Sequence, residues 1–242
     1  MDNAYLVLIE TSGNQNYIFS TNKLRENVGA SELTYQAGTK WILEAVGVIN
    51  DEEILRIWKD SARVRKLLRD PQKNSSIEDE TLAKPVEVIT AASGKAFLLT
   101  REETKAQEVI QSVTRKALIS APGLDVSGVY IKIENWKADG SLAKAVEQVY
   151  KQFERARSRR PSPENRFLRL PIVSSCAISS LPATKIETIG TQKEAFSQVS
   201  VSKRSKAEAA KDRLTELDQR LQTQIGQLLS DDDIEEEKHS WL

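Results

Sequence analysis

Between residues 4 and 135 the hydrophobic period of the chain switches in a fixed order, and that order restricts the fold more than composition does. Ala4-Tyr5-Leu6-Val7-Leu8-Ile9-Glu10 is a short apolar run ending at the turn-prone Thr11-Ser12-Gly13-Asn14, the pattern of a buried first strand. Gln15 to Asn27 is amphipathic. From Ser31 onward Leu33, Ala37, Trp41 and Ala45 recur at four-residue spacing, so they share one helix face. Asn50 with Glu53 has the form of a capping box and opens a second helix through Ile54, Trp58 and Ala62 toward Asp70-Pro71. Trp41 and Trp58 lie on these apolar faces and read as core residues. The polar segment 71–84 reads as an exposed, mobile loop.

The period then changes to that of strands. Val86-Glu87-Val88-Ile89-Thr90 and Ala96-Phe97-Leu98-Leu99-Thr100 flank Ala91-Ala92-Ser93-Gly94-Lys95, which predicts a β-hairpin. Thr100 with Glu103 suggests a further capping box, opening a helix with Ala106, Val109, Ile110, Val113, Ala117 and Leu118 on one face and ending at Pro122-Gly123. Ser127 to Glu134 alternates, with Val129, Ile131 and Ile133 on one side, as a half-buried strand does. The sum is a βαββαβ order. It predicts an α+β, ferredoxin-like palm in which helices cover one face of a four-stranded antiparallel sheet.

Beyond residue 136 the texture differs, so we divide the chain into a palm-like domain, 1–136, and a helical extension, 137–242. Leu142, Ala145, Val146, Val149, Tyr150 and Phe153 mark an amphipathic helix; a basic segment follows, then an irregular apolar stretch from Leu170 to Leu181. A last long helix is expected from Thr191, with Glu194 as its box partner. Ala207, Ala210, Leu214, Leu217, Leu221 and Leu228 fit a heptad register with Gln224 at a seam position, and such a helix packs on its own domain or on a second copy.

Composition excludes several chemistries. The sequence has one cysteine, Cys176, and one histidine, His239, so it holds no internal disulfide and no Cys/His zinc site. His239 closes the acidic stretch from Asp231 and reads as a solvated tail residue. Lys plus Arg equal Asp plus Glu at 35 each, so any polyanion site is a local patch. The sharpest patch is Lys151 to Arg169, with a net charge of +5 carried by Lys151, Arg155, Arg157, Arg159, Arg160, Arg166 and Arg169 against Glu154 and Glu164. With Phe153 and Phe167 interleaved it suits an RNA backbone, an acidic partner, the chain's own −6 tail at 231–237, or plain solvation. The longest apolar run, Tyr5 to Ile9, is far short of a membrane span, and no apolar leader precedes it, which suggests a cytoplasmic protein.

Two blocks, Glu10-Thr11-Ser12-Gly13-Asn14-Gln15-Asn16-Tyr17-Ile18-Phe19 and Asn22-Lys23-Leu24-Arg25-Glu26-Asn27-Val28-Gly29-Ala30-Ser31, resemble the first strand and following helix of the palm domain in the large, polymerase-cyclase-like subunit of type III CRISPR effectors, the Cas-ten family. Arg166-Phe167-Leu168-Arg169-Leu170-Pro171 and Ser180-Leu181-Pro182-Ala183 are also similar to that group. The resemblance implies a nucleotidyl-cyclase-like palm. Active members bind two metal ions through an acidic residue at the end of the first strand and a Gly-Gly-Asp-Asp hairpin turn, because two cations must clamp the attacking hydroxyl and the triphosphate. Here the turn is Ala91-Ala92-Ser93-Gly94-Lys95, with no acidic residue between Glu87 and Glu102, and Glu10 stands alone. The expectation is a degenerate, non-catalytic palm of an antiviral defence system that pairs with a second, active palm, in the same longer protein or a partner chain.

The candidate nucleotide contacts are Ser12, Gly13, Asn14 and Gln15 at the strand-to-helix turn and Ser93, Gly94 and Lys95 at the hairpin; Lys95 also reads as an ordinary turn lysine, and Ser12 to Gln15 as a plain turn. Lys23 and Arg25 are phosphate ligands or surface charges. Arg155, Arg157, Arg159, Arg160, Arg166 and Arg169 are the candidate RNA contacts. ATP is the expected ligand, with magnesium only where an active palm supplies carboxylates. The partners expected are that palm, RNA and other CRISPR effector subunits, with no membrane. Two rival readings stand beside this one. One is a cyclic-oligonucleotide synthetase whose site a partner palm completes. The other is an RNA- or protein-binding scaffold without nucleotide.

Overall fold

The computed structural model describes residues 3–239 apart from 52–57, 80, 83, 93, 162, 168, 169 and 171. Strand β1 (Ala4–Ser12) leads through a single turn, α1 (Asn14–Ile18), into α2 (Leu24–Gly38), α3 (Lys40–Asn50) and α4 (Ser61–Leu68). The hairpin β2 (Val86–Ala92) and β3 (Lys95–Thr100) follows, then α5 (Glu103–Ser120), β4 (Asp125–Ile133) and α6 (Ser141–Ser158). The chain closes with a second hairpin, β5 (Ala183–Ile189) and β6 (Gln192–Ser197), and the long helix α7 (Gln198–His239). The four main strands lie in the order β2-β3-β1-β4 and every pairing is antiparallel, so the fold is the α+β, ferredoxin-like arrangement with a helical C-terminal part.

The alternation along β1 decides where the core lies. Val7 and Ile9 point to one side, where they join Val88, Leu98 and Val126 under Leu33 and Ala37 of α2, Trp41 and Ile42 of α3 and Val109 and Val113 of α5. Leu6 and Leu8 point to the other side, where they join Leu99, Val129 and Ile133 under Ala145, Val149 and Phe153 of α6. Each fully buried Leu or Phe contributes roughly 1.5–3 kcal/mol by leaving water. The expectation that helices cover only one face is therefore corrected: the second face is also apolar along most of its length, and α6 covers it.

Other local expectations change for identifiable reasons. The helix read from Ser31 through Ala45 breaks at Thr39, where φ is −134°, because Gly38 lies against the hairpin turn: a Cβ on Gly38 would sit 2.2 Å from Gly94 Cα. Asn50 is the last residue of α3, with Asp51 at φ 54° as its C-cap, while Glu53 and Ile54, the expected continuation of the capping box and helix, lie outside the described residues. The Asn50 side-chain amide takes the Val86 carbonyl at 2.7 Å and its carbonyl accepts the Val86 N–H at 3.0 Å, while Asp60 is the N-cap of α4. Segment 71–84 is anchored where it is described. Asn74 repeats the same two-way bond on Val88 at 2.9 and 2.8 Å, Ser75 is fully buried and Ile77 joins the α6-side core. Glu102, not Thr100, is the N-cap residue of α5. Glu194 lies within β6, so α7 starts at Gln198 rather than Thr191.

Helix α7 packs along α2. Gly29 permits it: a Cβ there would meet the Lys203 carbonyl oxygen at 1.7 Å. Ala207 and Ala210 are buried on this contact, whereas Leu214 and Leu221, on the same heptad seam, are exposed. Arg213 pairs with the buried Glu32 at 2.8 Å and completes the join.

Candidate functional site

The outward side of β1 is apolar at Leu6 and Leu8 and turns polar at Glu10 and Ser12, so the last two rows of the sheet under the end of α6 carry polar groups instead of core. In the first of these rows Glu10 lies opposite Lys95 on β3 and Ser127 on β4. The Lys95 ammonium sits 3.1 Å from Glu10 Oε2 and donates to the Tyr150 hydroxyl of α6 at 3.0 Å. The hydrogen bond with Tyr150 and the Glu10 carboxylate together hold this ammonium above the usual lysine value. In the second row Ser12 lies opposite Asp125, the first residue of β4. Asp125 is ion-paired by Arg166 and by Arg160, the latter at 3.6 Å.

A palm's metal site needs carboxylates free to face cations. Two carboxylates do converge at the end of β1, but each is already closed by basic side chains, one from the hairpin and one from the basic segment. Among the described residues no group of three or more His, Cys, Asp or Glu is placed to hold a metal. The arrangement does not fit magnesium.

The first turn and the hairpin turn are brought together as the palm order requires. Thr11 N–H donates to the Gly94 carbonyl at 2.7 Å, and Asn14 Nδ2 donates to Thr11 Oγ1 at 2.9 Å. Gly94, at φ +82°, has no room for a side chain, since a Cβ would sit 2.3 Å from Thr11 Oγ1. Ser93 lies outside the described residues. Gly13 adopts φ +64° and its carbonyl accepts from Tyr17 N–H at 2.9 Å. Helix α1 is five residues long, so its dipole offers little to a phosphate.

Ser12, Gly13 and Gln15 line a cavity of about 910 Å³ that opens between the first turn, the 178–181 segment and the start of α7. Phe19 and Phe167 contribute rings to it. At its base Lys203, 1 % exposed, donates to the Tyr17 carbonyl and to Ser20 Oγ at 2.7 Å, with its ammonium 4.4 Å from the centre of the Tyr17 ring. Burial lowers its pKa to about 8. Glu26, also 1 % exposed, accepts from Ser200 Oγ at 3.3 Å through Oε2. Glu26 Oε1, the Tyr17 hydroxyl and Ser12 Oγ are buried and have no hydrogen-bond partner. Hairpin residues Gly94 and Lys95 do not line this cavity.

The arginines divide. Arg155, Arg157 and Arg159 are exposed toward the end of α6, with Arg157 3.5 Å from Glu154, whereas Arg160 and Arg166 fold back on Asp125. Arg169 lies outside the described residues. Three groups central to the site escape a reading of the sequence as strands and caps: Asp125, Glu26 and Lys203. The last two carry a signal, since Glu26 precedes Gly29, Ala30 and Leu33 on one helix face and Lys203 precedes Ala207 and Ala210 on another. Charges on apolar faces announce buried polar contacts.

No family model matches the chain, and no curated protein matches it. Among solved structures it is similar to a chain of a type III-B Cmr-beta complex in the apo state, at 12% identity and a TM-score of 0.47, covering 85% of this chain and 32% of that one. A chain of a Csm1-Csm4 cassette in complex with pppApApA is similar at 11% identity and a TM-score of 0.34, covering 61% of this chain and 19% of the other. The chain thus spans about a third and a fifth of those two chains. The fold assignment rests on the strand order itself. No helix among the described residues is long and apolar enough to cross a membrane.

Proposed function

We propose that this chain is a non-catalytic palm of a type III CRISPR-like antiviral effector, with residues 1–136 as the palm and 137–242 as its helical extension, which binds a nucleotide without metal and scaffolds a second, active palm. The observation that carries this reading is the Glu10–Lys95 pair. In the resemblance drawn from Glu10 to Phe19 and Asn22 to Ser31, the end of β1 and the hairpin turn are where an active palm gathers its metal-binding carboxylates. Here an ammonium occupies the place of a cation and belongs to the protein itself. Such a pair sets an ammonium against Glu10 and leaves no second free carboxylate beside it to clamp an attacking hydroxyl and a triphosphate.

Nucleotide contact falls to the first turn. Ser12, Gly13 and Gln15 open onto the cavity, and Asn14 fixes the turn through Thr11, with Gly94 and Lys95 one strand away. Any magnesium would enter with the carboxylates of the second palm, since Glu10 and Asp125 are both spoken for.

The test is turnover. Incubated alone with ATP and magnesium or manganese, the purified chain is expected to form no cyclic or linear oligonucleotide. Metal-dependent product formation that disappears in Glu10→Ala overturns the non-catalytic reading and favours the synthetase.

A further inference from the structure

We propose that the cleft between α4 and β2 binds the phosphate backbone of a single nucleic-acid strand. Residues 61–69 hold four basic side chains, Arg63, Arg65, Lys66 and Arg69, and no acidic one, a charge of +4 on one short stretch. Val64 is buried and ties α4 to the core on the α2 side of the sheet, whereas the basic segment 151–169 begins in α6, on the other side. The cleft, about 490 Å³, shares no lining residue with the cavity at the first turn, so the inference goes beyond the nucleotide reading and does not rest on it.

Helical spacing puts Ser61, Arg65 and Arg69 on one face of the segment, about one turn apart, and all three line the cleft together with Tyr35, Ile89 and Thr90. The charges around it are unequally satisfied. Asp60, just ahead of Ser61, is paired with Arg63 at 3.3 Å and with Arg220 at 2.7 Å, and accepts the Ala62 N–H at 3.0 Å. Glu32 pairs with Arg213 at 2.8 Å, and that guanidinium lies 4.2 Å from the centre of the Tyr35 ring. Both neighbouring carboxylates thus have basic partners of their own, while Arg65 and Arg69 are exposed and have no acidic partner among the described residues. Two guanidinium forks left over in a concave place suit an oxyanion, because each presents paired N–H donors to it. The hydroxyls of Ser61 and Thr90 add donors, and the exposed Ile89 adds an apolar wall for a sugar. A cleft of this size takes a whole nucleotide unit, whereas an acidic side chain leaves it mostly empty, so a phosphodiester chain fits better than an acidic peptide. The Tyr35 ring already carries Arg213, so recognition falls to the phosphates and not to the bases.

The experiment is fluorescence anisotropy of a fluorescein-labelled oligouridine with the full chain in EDTA, over a range of salt concentrations. The double variant Arg65→Gln, Arg69→Gln is expected to weaken binding at least tenfold at low salt. It is also expected to flatten the slope of log affinity against log salt by about 1.4, since each phosphate contact on a single strand contributes about 0.7. Arg65→Lys with Arg69→Lys is expected to keep the slope and lose several-fold in affinity, because the charge stays and the fork goes. Ile89→Glu sets a carboxylate in the cleft without touching an arginine and is expected to weaken binding as the double glutamine variant does. All of these positions are exposed, and thermal melts are expected to show each variant folded. Unchanged affinity and slope in the double glutamine variant, or no binding by the wild type at low salt, overturns the proposal. Displacement of the oligouridine by oligoglutamate at equal residue concentration overturns it in favour of an acidic peptide.

Discussion

Along the side of β1 that faces α6, the first half and the second half behave differently. Leu6 and Leu8 join a dry core with Val149 and Phe153, whereas Glu10 and Ser12, one and two rows further on, sit among Lys95, Ser127, Asp125 and two arginines. The same strand, alternation and covering helix serve both halves; only the residue types change. A sheet that gains stability by burying Leu gives that up from Glu10 onward, so the switch at Glu10 marks where this face exchanges core for polar pairs.

The difference is broken most severely from the apolar half. Phe153→Ala deletes one of the largest fully buried side chains, and equilibrium urea unfolding is expected to register a loss of about 3–5 kcal/mol. A loss below about 1 kcal/mol means that α6 rests on the sheet without forming a core with it. The polar half is sharpened by comparing arginines. Asp125→Asn, or Arg166→Glu, is expected to cost roughly 1–3 kcal/mol of stability, because charged partners 21 % exposed lose each other. Arg159→Glu is expected to leave stability unchanged and to lower the salt slope of single-stranded RNA binding by about 1. If Arg159→Glu and wild type show the same slope, the exposed arginines are not an RNA contact.

A separate effect concerns pH. Lys203 titrates at about 8 in the folded chain against an ordinary 10.5, because burial disfavours its charge. Between those two values the unfolded chain holds a proton that the folded chain has released, so this group makes stability rise with pH across that window; Cys176, whose burial is outweighed by hydrogen bonds to its sulfur that lower its pKa to about 6, adds a rise of the same sign between about pH 6 and 9. Tyr17, whose hydroxyl burial pushes well above its usual value, opposes this only above about pH 10. Thermal melts from pH 7.5 to about 10 are expected to show a rise whose upper part, from about pH 9 to 10, Lys203→Met removes. A falling curve in wild type contradicts the burial argument.

The sheet was legible because its strands alternate and its hairpin is punctuated. Val129 and Ile133 share one face as the spacing requires, and Glu10 faces Lys95 in the register that a short hairpin beside a central first strand permits. The second hairpin was not legible. In β5 most side chains are exposed and no apolar face recurs, so Gly190, at φ +63°, was the lone signal of its turn, and Glu194 passed for a helix cap. Asp125 was hidden because it precedes the first apolar pair of β4. The division among the arginines follows from folding back onto an aspartate distant in sequence, which no local pattern encodes.

With a helical layer on each face, the sheet is left with two rims, and the two are unlike. Along β2 the amides of Asn50 and Asn74 act as two one-residue pseudo-strands, each returning both bonds of a ladder rung to Val86 and Val88. That part of the border is closed to another strand. Among the described residues strand β4 pairs with β1 and forms the opposite border of the sheet. The two asparagines thus act on the β2 border as a short edge-blocking device, satisfying from within the chain the peptide groups of Val86 and Val88 that an added strand would otherwise take.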